Sequence, residues 1–175
     1  MLDLTGKNAF ITGIANNRSI AWGIAQQLHQ AGANIGVNYL PDEKGRFEKK
    51  VTELVQPLNP SIIVPCDVQD DELLDSMFTT IEEKWGKIDI LVHCLAFADR
   101  ADLTGDFSAT SRAGFAKALD ISSYSLNCLA GRAKPLMKEG GSIVTLSYLG
   151  GVKVIPNYNV MGVAKSALEL SLIHI

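Results

Sequence analysis

The chain is predicted to be an α/β protein built on a doubly wound parallel sheet. Three observations predict it. Short apolar runs alternate strictly with longer amphipathic stretches. The runs are apolar at consecutive positions, as expected of strands covered on both faces. The amphipathic stretches open at capping residues or close at glycine, as helices do.

In chain order, Asn8 to Thr12 reads as a strand, Ser19 to Ala31 as a helix closed by Gly32, and Asn34 to Tyr39 as a second strand. A charged helix from about Glu43 to Val55 precedes the strand Ile62 to Cys66. Asp70 caps a helix that runs to Trp85 and stops at Gly86, and Ile88 to His93 is an almost wholly apolar strand. A polar loop from about Phe97 to Thr110 leads into helical sequence that continues to Lys138 and ends at Gly140-Gly141. Ser142 to Ser147 is the fifth strand, and Tyr158 opens the last helix. Right-handed crossovers wind these units into a Rossmann-like sheet whose ligand crevice lies beyond the carboxyl ends of the strands. Those ends carry Gly13, Tyr39, Asp67, Leu95 and Tyr148. No repeat or linker interrupts residues 1–175, which read as a single dinucleotide-binding domain.

With 47% hydrophobic residues the chain can bury a full core, and a net charge of −3 gives it no general attraction for phosphate backbones or anionic lipid. Nucleic acid is not an expected partner. There is no leader-like segment and no apolar run of about 18 residues, so an unanchored, cytoplasmic chain with no membrane partner is expected. Cys66, Cys94 and Cys128 are odd in number, far apart and without a CxxC companion, so they read as free thiols; no metal site is expected. His93 and His29 read as core or surface histidines, and His174 receives no role.

Tyr158 and Lys165 carry the chemistry. Seven helical residues turn through about 700° and rise about 10 Å, which returns both side chains to one face. A phenol beside an ammonium suits proton donation or oxyanion stabilisation, the ammonium lowering the phenol's pKa. Taken alone, such a pair is more often a surface contact. The first strand runs into Thr12-Gly13-Ile14-Ala15-Asn16-Asn17-Arg18-Ser19-Ile20, which is not a GxGxxG motif. Gly13 still allows a tight turn, and Ser19 at a helix N-terminus offers a hydroxyl and backbone N–H groups to a pyrophosphate; its other reading is a plain helix cap. Asp67 can accept from an adenine amino group or cap the following turn.

These segments, with Cys66-Asp67-Val68, Asp120-Ile121-Ser122-Ser123-Tyr124-Ser125, Leu146-Ser147-Tyr148-Leu149-Gly150 and Ile155-Pro156-Asn157-Tyr158, resemble the NAD(P)H-dependent enoyl-acyl-carrier-protein reductases, a divergent branch of the short-chain dehydrogenase/reductases. The most specific element is Tyr-x6-Lys with Tyr148 upstream, where ordinary members of the superfamily have Tyr-x3-Lys and a serine. Val92-His93-Cys94-Leu95-Ala96-Phe97-Ala98-Asp99-Arg100 is similar to the cyanobacterial type. The resemblance implies that Gly13, Ser19 and Ile20 hold the pyrophosphate side of the cofactor, Asp67 and Val68 the adenine, and Leu95 and Ala96 the underside of the dinucleotide. It implies that Ala98 touches the acyl substrate, that Tyr158 hydrogen-bonds the thioester carbonyl, that Lys165 binds the nicotinamide ribose, and that Tyr148 flanks the substrate. It also implies an enoyl thioester on acyl carrier protein as partner, and a homotetramer in the full-length protein.

NADH is the cofactor expected. No acidic residue ends the second strand at Tyr39-Leu40-Pro41, and Lys44 and Arg46 keep NADPH open. The fold alone leaves room for a carbonyl reductase or for a nucleotide-binding module without turnover. After Lys165 the chain ends apolar at Leu172-Ile173-His174-Ile175, where the family continues with further strands. A C-terminally incomplete domain is therefore expected.

Overall fold

A computed structural model describes residues 2–175. Five strands, β1 (Asn8–Ile11), β2 (Asn34–Tyr39), β3 (Ile62–Pro65), β4 (Ile90–His93) and β5 (Ser142–Thr145), form one parallel sheet in the order β3-β2-β1-β4-β5. Ala9 lies opposite Ile35 on one side and Ile90 on the other, so the winding direction reverses at β1. This is the doubly wound arrangement expected, with its switch point between β1 and β4.

The helices are α1 (Ile20–Gln30), α2 (Arg46–Val55), α3 (Asp71–Trp85), α4 (Arg112–Leu119), α5 (Ser125–Ala133) and α6 (Asn159–His174). Contacts divide the chain into two compact units. The first contains the sheet, running to Cys94 and resuming over Gly131–Thr145; the second is Leu95–Ala130 with Leu146–Ile175.

In the first unit, Ala9, Ile11, Ile35, Val37 and Val92 from the sheet cluster with Ala21, Ala25, Val51 and Val55 from α1 and α2, all buried. Phe10 meets Trp85 of α3 edge to face, with ring centroids 6.4 Å apart. Gly36 leaves room for that pair, since a Cβ there would lie 2.6 Å from the Trp85 ring. Helix α3 has the bounds its caps dictate. The Asp70 carboxylate accepts from the N–H of Glu72 (2.9 Å) and Leu73 (3.1 Å), and Gly86, at φ 67°, ends it.

Several boundaries differ from the sequence reading; β5 ends at Thr145, two residues early. Helix α2 begins at Arg46 because the Asp42 carboxylate takes the Phe47 N–H at 3.0 Å, after Gly45 at φ 61°. Strand β4 begins at Ile90, because the Ile88 N–H donates to the Leu136 carbonyl and the Asp89 carboxylate accepts from the Asn8 N–H at 2.9 Å. The helical stretch to Lys138 is interrupted twice. Asp120–Tyr124 is a π-helical turn, and α5 tightens into a 3₁₀ turn over Lys134–Leu136, which contains Pro135.

The second unit packs α6 against α4, the π turn and the segment Leu146–Val152. The expected loop from Phe97 to Thr110 contains two 3₁₀ turns, Arg100–Leu103 and Phe107–Ala109. Among the described residues no helix is long and apolar enough to cross a membrane.

Candidate active site

In the first unit the turn after β1 is pinned before it opens. Thr12 donates both its N–H (2.9 Å) and its hydroxyl (3.0 Å) to the Val92 carbonyl. Gly13 follows at φ 86°, where a Cβ would sit 2.7 Å from the Cys94 carbonyl carbon. The chain then reaches the N-terminus of α1. Ser19 caps that helix, accepting from the Trp22 N–H at 3.3 Å while donating to the Asn16 carbonyl at 2.7 Å. The capping role of Ser19 is thus present in the structure. Ile20 beside it is 66% exposed, an apolar side chain presented at the mouth of the turn.

At the end of β3, Asp67 accepts from the Gln69 N–H at 3.0 Å, which is the turn-capping role, while Val68 is buried. Cys66 is buried as well. Burial, with the nearby Asp67 carboxylate adding to it, pushes its thiol up to about 12. His93 is wholly buried with Nδ1 2.8 Å from the Thr145 hydroxyl, so it is a core histidine as expected. Gly13 in the left-handed region, the close Cys94 backbone and the α1 N-terminus form a glycine-dependent cradle of the kind that admits a pyrophosphate, so these residues fit a dinucleotide.

In the second unit Tyr158 is not inside a helix. It occupies the position before α6, flanked by Asn157 at φ 61°. Its ring lies 4.8 Å from that of Tyr148, centroid to centroid, tilted by 60°. Lys165, one face along α6, is 5% exposed and its ammonium donates to the Leu146 carbonyl at 2.7 Å. The three side chains line one recess of about 400 Å³ with Leu146, Ser147, Ile155 and Pro156. Tyr148 is 49% exposed at its rim.

One expectation about this pair needs correction. The spacing suggested that Lys165 would lower the phenol's pKa. Instead Tyr158 is pushed above the ordinary phenol value, first by burial and then by the neighbouring Tyr148. The phenol therefore remains protonated across the neutral range, with its O–H available to donate.

The segment bearing Tyr148 is tied to α6 by two further bonds, Ser147 to the Glu169 carboxylate and Ser166 to the Gly151 carbonyl. Neither Glu169 nor Ser166 was singled out in the sequence. Glu169 follows Lys165 by four residues, which returns it to the same helix face and is the signal that could have found it; Ser166, next to Lys165, carries no such signal. Leu95 and Ala98 are half-buried and Ala96 is exposed, all on the segment that leaves β4.

Comparison with known proteins gives these residues a family. Residues 13–173 match the model described as enoyl-(acyl carrier protein) reductase. The enoyl-[acyl-carrier-protein] reductase [NADH] of Nostoc sp. is 74% identical over 171 residues, covering 98% of this chain and 66% of the relative. The cyanobacterial likeness of the Val92–Arg100 segment accords with that match. An enoyl-(acyl-carrier-protein) reductase from Anaplasma phagocytophilum, solved in complex with NAD, superposes with a TM-score of 0.93 at 46% identity, over 98% of this chain and 64% of that one. The Bacillus cereus enoyl-acyl carrier protein reductase, solved with NADP⁺ and an indole naphthyridinone, gives 0.93 at 49% identity, over 99% and 67%. The chain spans just under two thirds of the length of the Nostoc relative. On sequence and fold alike, it belongs to the enoyl-(acyl carrier protein) reductase family.

Proposed function

We propose that this chain carries the cofactor-binding and proton-donating residues of a reductase that reduces trans-2-enoyl thioesters on acyl carrier protein with NADH, in type II fatty-acid synthesis. The observation that carries this reading is the convergence of Tyr158, Tyr148 and Lys165 on one recess.

NADH, when bound, supplies a hydride. On this chain Gly13, Ser19 and Ile20 would hold its pyrophosphate side, Asp67 and Val68 its adenine, and Leu95 its underside. Lys165, buried and held by the Leu146 carbonyl, would present its ammonium to the nicotinamide ribose hydroxyls. Hydride arriving at Cβ of the substrate drives the double-bond electrons toward the thioester, whose oxygen gains negative charge until a proton is delivered to Cα. A preorganised donor at that oxygen lowers the barrier most. The Tyr158 phenol, neutral at physiological pH and moved further from ionisation by burial, is that donor. Tyr148 flanks the substrate, and Ala98 lies against the acyl chain. NADH is favoured over NADPH because the Nostoc relative is named for NADH. A homotetrameric, cytoplasmic enzyme completes the reading.

Replacing Tyr158 with Phe removes the donor and little else. Turnover of a crotonyl thioester is expected to fall on the order of ten- to a thousandfold, with the NADH dissociation constant within about twofold. Unchanged turnover would remove Tyr158 from the mechanism. A parent protein that binds NADH but reduces no enoyl thioester would refute the reductase reading itself.

A further inference from the structure

The segment Leu95–Ala98 belongs to no strand, helix or 3₁₀ turn, yet it bears the residues assigned above to cofactor and acyl chain. Backbone groups outside a ladder need partners. Here one side chain supplies two of them. The Ser122 hydroxyl accepts from the Phe97 N–H at 2.9 Å and donates to the Phe97 carbonyl at 3.1 Å, across 25 residues of sequence.

Ser122 is 0% exposed and lies in the π-helical turn Asp120–Tyr124 between α4 and α5. Such turns are rare, occur mostly as single insertions in α-helices, and cluster at functional sites. The insertion changes which way the following side chains face, and in this chain it accompanies a serine turned onto a neighbouring backbone. A second tie holds the same segment. Lys117 lies 5.0 Å over the Phe97 ring and pairs with the Asp99 carboxylate at 3.3 Å. Both partners of that pair are more than two fifths exposed, so solvent screens it and the buried hydroxyl is the stronger tie.

We infer that Ser122 is a positioning residue: its hydroxyl clamps the Phe97 backbone and so fixes Ala98 against the acyl substrate. This deepens the reductase reading and rests on it for the substrate's identity. The clamp is expected to act on substrate more than on cofactor. Leu95 lies two residues beyond the end of β4 and keeps that anchor. Ala98 lies between the Ser122 clamp and the weaker Asp99 tie, and loses its main restraint when the hydroxyl is removed.

The test uses Ser122→Ala, with Ser123→Ala as control because Ser123 is buried in the same turn. Native-state hydrogen exchange is expected to show the Phe97 amide exchanging at least about tenfold faster in Ser122→Ala and within about twofold of the parent in Ser123→Ala. With a crotonyl thioester, KM is expected to rise about five- to twentyfold in Ser122→Ala while the KM for NADH stays within about twofold. Ser122→Thr, which keeps the hydroxyl, is expected to recover much of the exchange protection. Unchanged exchange in Ser122→Ala, or equal acceleration in Ser123→Ala, overturns the clamp. Faster exchange with equal rises in both KM values overturns its link to the substrate side. A parent protein without enoyl turnover refutes the reductase reading alone, and hydrogen exchange still decides the clamp.

Discussion

Gly162 lies in the first turn of α6, and a Cβ built on it would come 2.7 Å from the Gly150 carbonyl oxygen. That neighbour is backbone and cannot rotate away. Replacing a helical glycine with alanine gains up to about 1 kcal/mol in propensity, whereas forcing a methyl group into a packed contact costs about 1–3 kcal/mol. For a clash with backbone the upper part of that range applies, so Gly162→Ala should lose about 2 kcal/mol net. In a chain of this size that lowers Tm by roughly 4–8 °C. Gly131 in α5 supplies the opposite sign: it is also helical, but a Cβ there meets nothing within 4 Å. Gly131→Ala should therefore raise Tm by roughly 2–4 °C. The displaced Gly150 segment also bears Tyr148, so enoyl turnover should fall in Gly162→Ala and hold in Gly131→Ala. Thermal unfolding by circular dichroism, with turnover measured on the same preparations, checks both. If Gly162→Ala stabilises as Gly131→Ala does, the close approach of α6 to Gly150 is wrong.

Lys165→Ala should weaken NADH binding, read by titration of cofactor fluorescence, and Lys165→Arg should keep part of the affinity through its charge; equal affinity in parent and Lys165→Ala would contradict the ribose assignment. With its thiol pushed up to about 12, Cys66 should resist iodoacetamide in the native protein at pH 8, where its thiolate fraction is on the order of 10⁻⁴, while the partly exposed Cys94 is labelled first. Mass mapping of the labelled peptides reads this, and early labelling of Cys66 would show that β3 opens readily. Burial opposes ionisation of Asp89, but the Asn8 N–H and the Lys7 ammonium outweigh it and hold the carboxyl below its ordinary value. A depressed carboxylate stabilises the fold above about pH 4 and loses that contribution as pH falls through the lower native value. Asp89→Asn should therefore narrow the stability difference between pH 7 and pH 3 in urea titrations, and an unchanged difference would remove Asp89 from the acid response.

The sequence was most legible where the determining signal is local. Helix α3 matched its expected bounds because Asp70 and Gly86 act within one turn of themselves, and β2 matched because every residue between Asn34 and Tyr39 sits under the same packing demand. Strand β4 started late for a non-local reason, since Asp89 bonds to Asn8, 81 positions away. The site divided in the same way. The spacing of Tyr158 and Lys165 is a local property and brought both to one recess. The Tyr158 pKa depends on what covers the ring, and its direction came out opposite to the spacing argument. The residues Asp120, Ser122, Ser123, Tyr124 and Ser125 read as part of a continuous helix, although side-chain hydroxyls there can compete for backbone partners. That the Ser122 hydroxyl reaches Phe97, 25 residues away, is a tertiary contact with no local signal.

Gly13 has a consequence for how variation can be distributed along the chain. At φ 86°, with the Cys94 backbone against the place a side chain would occupy, it forbids replacement twice over: by torsion and by volume. Asn16, Asn17 and Arg18 in the same turn are exposed and carry no such constraint on size. A saturation library across residues 13–20 should thus show Gly13 accepting nothing and Asn16, Asn17 and Arg18 accepting most side chains, with the buried Ile14 and the capping Ser19 in between. A search that demands three glycines at fixed intervals will overlook turns built on one.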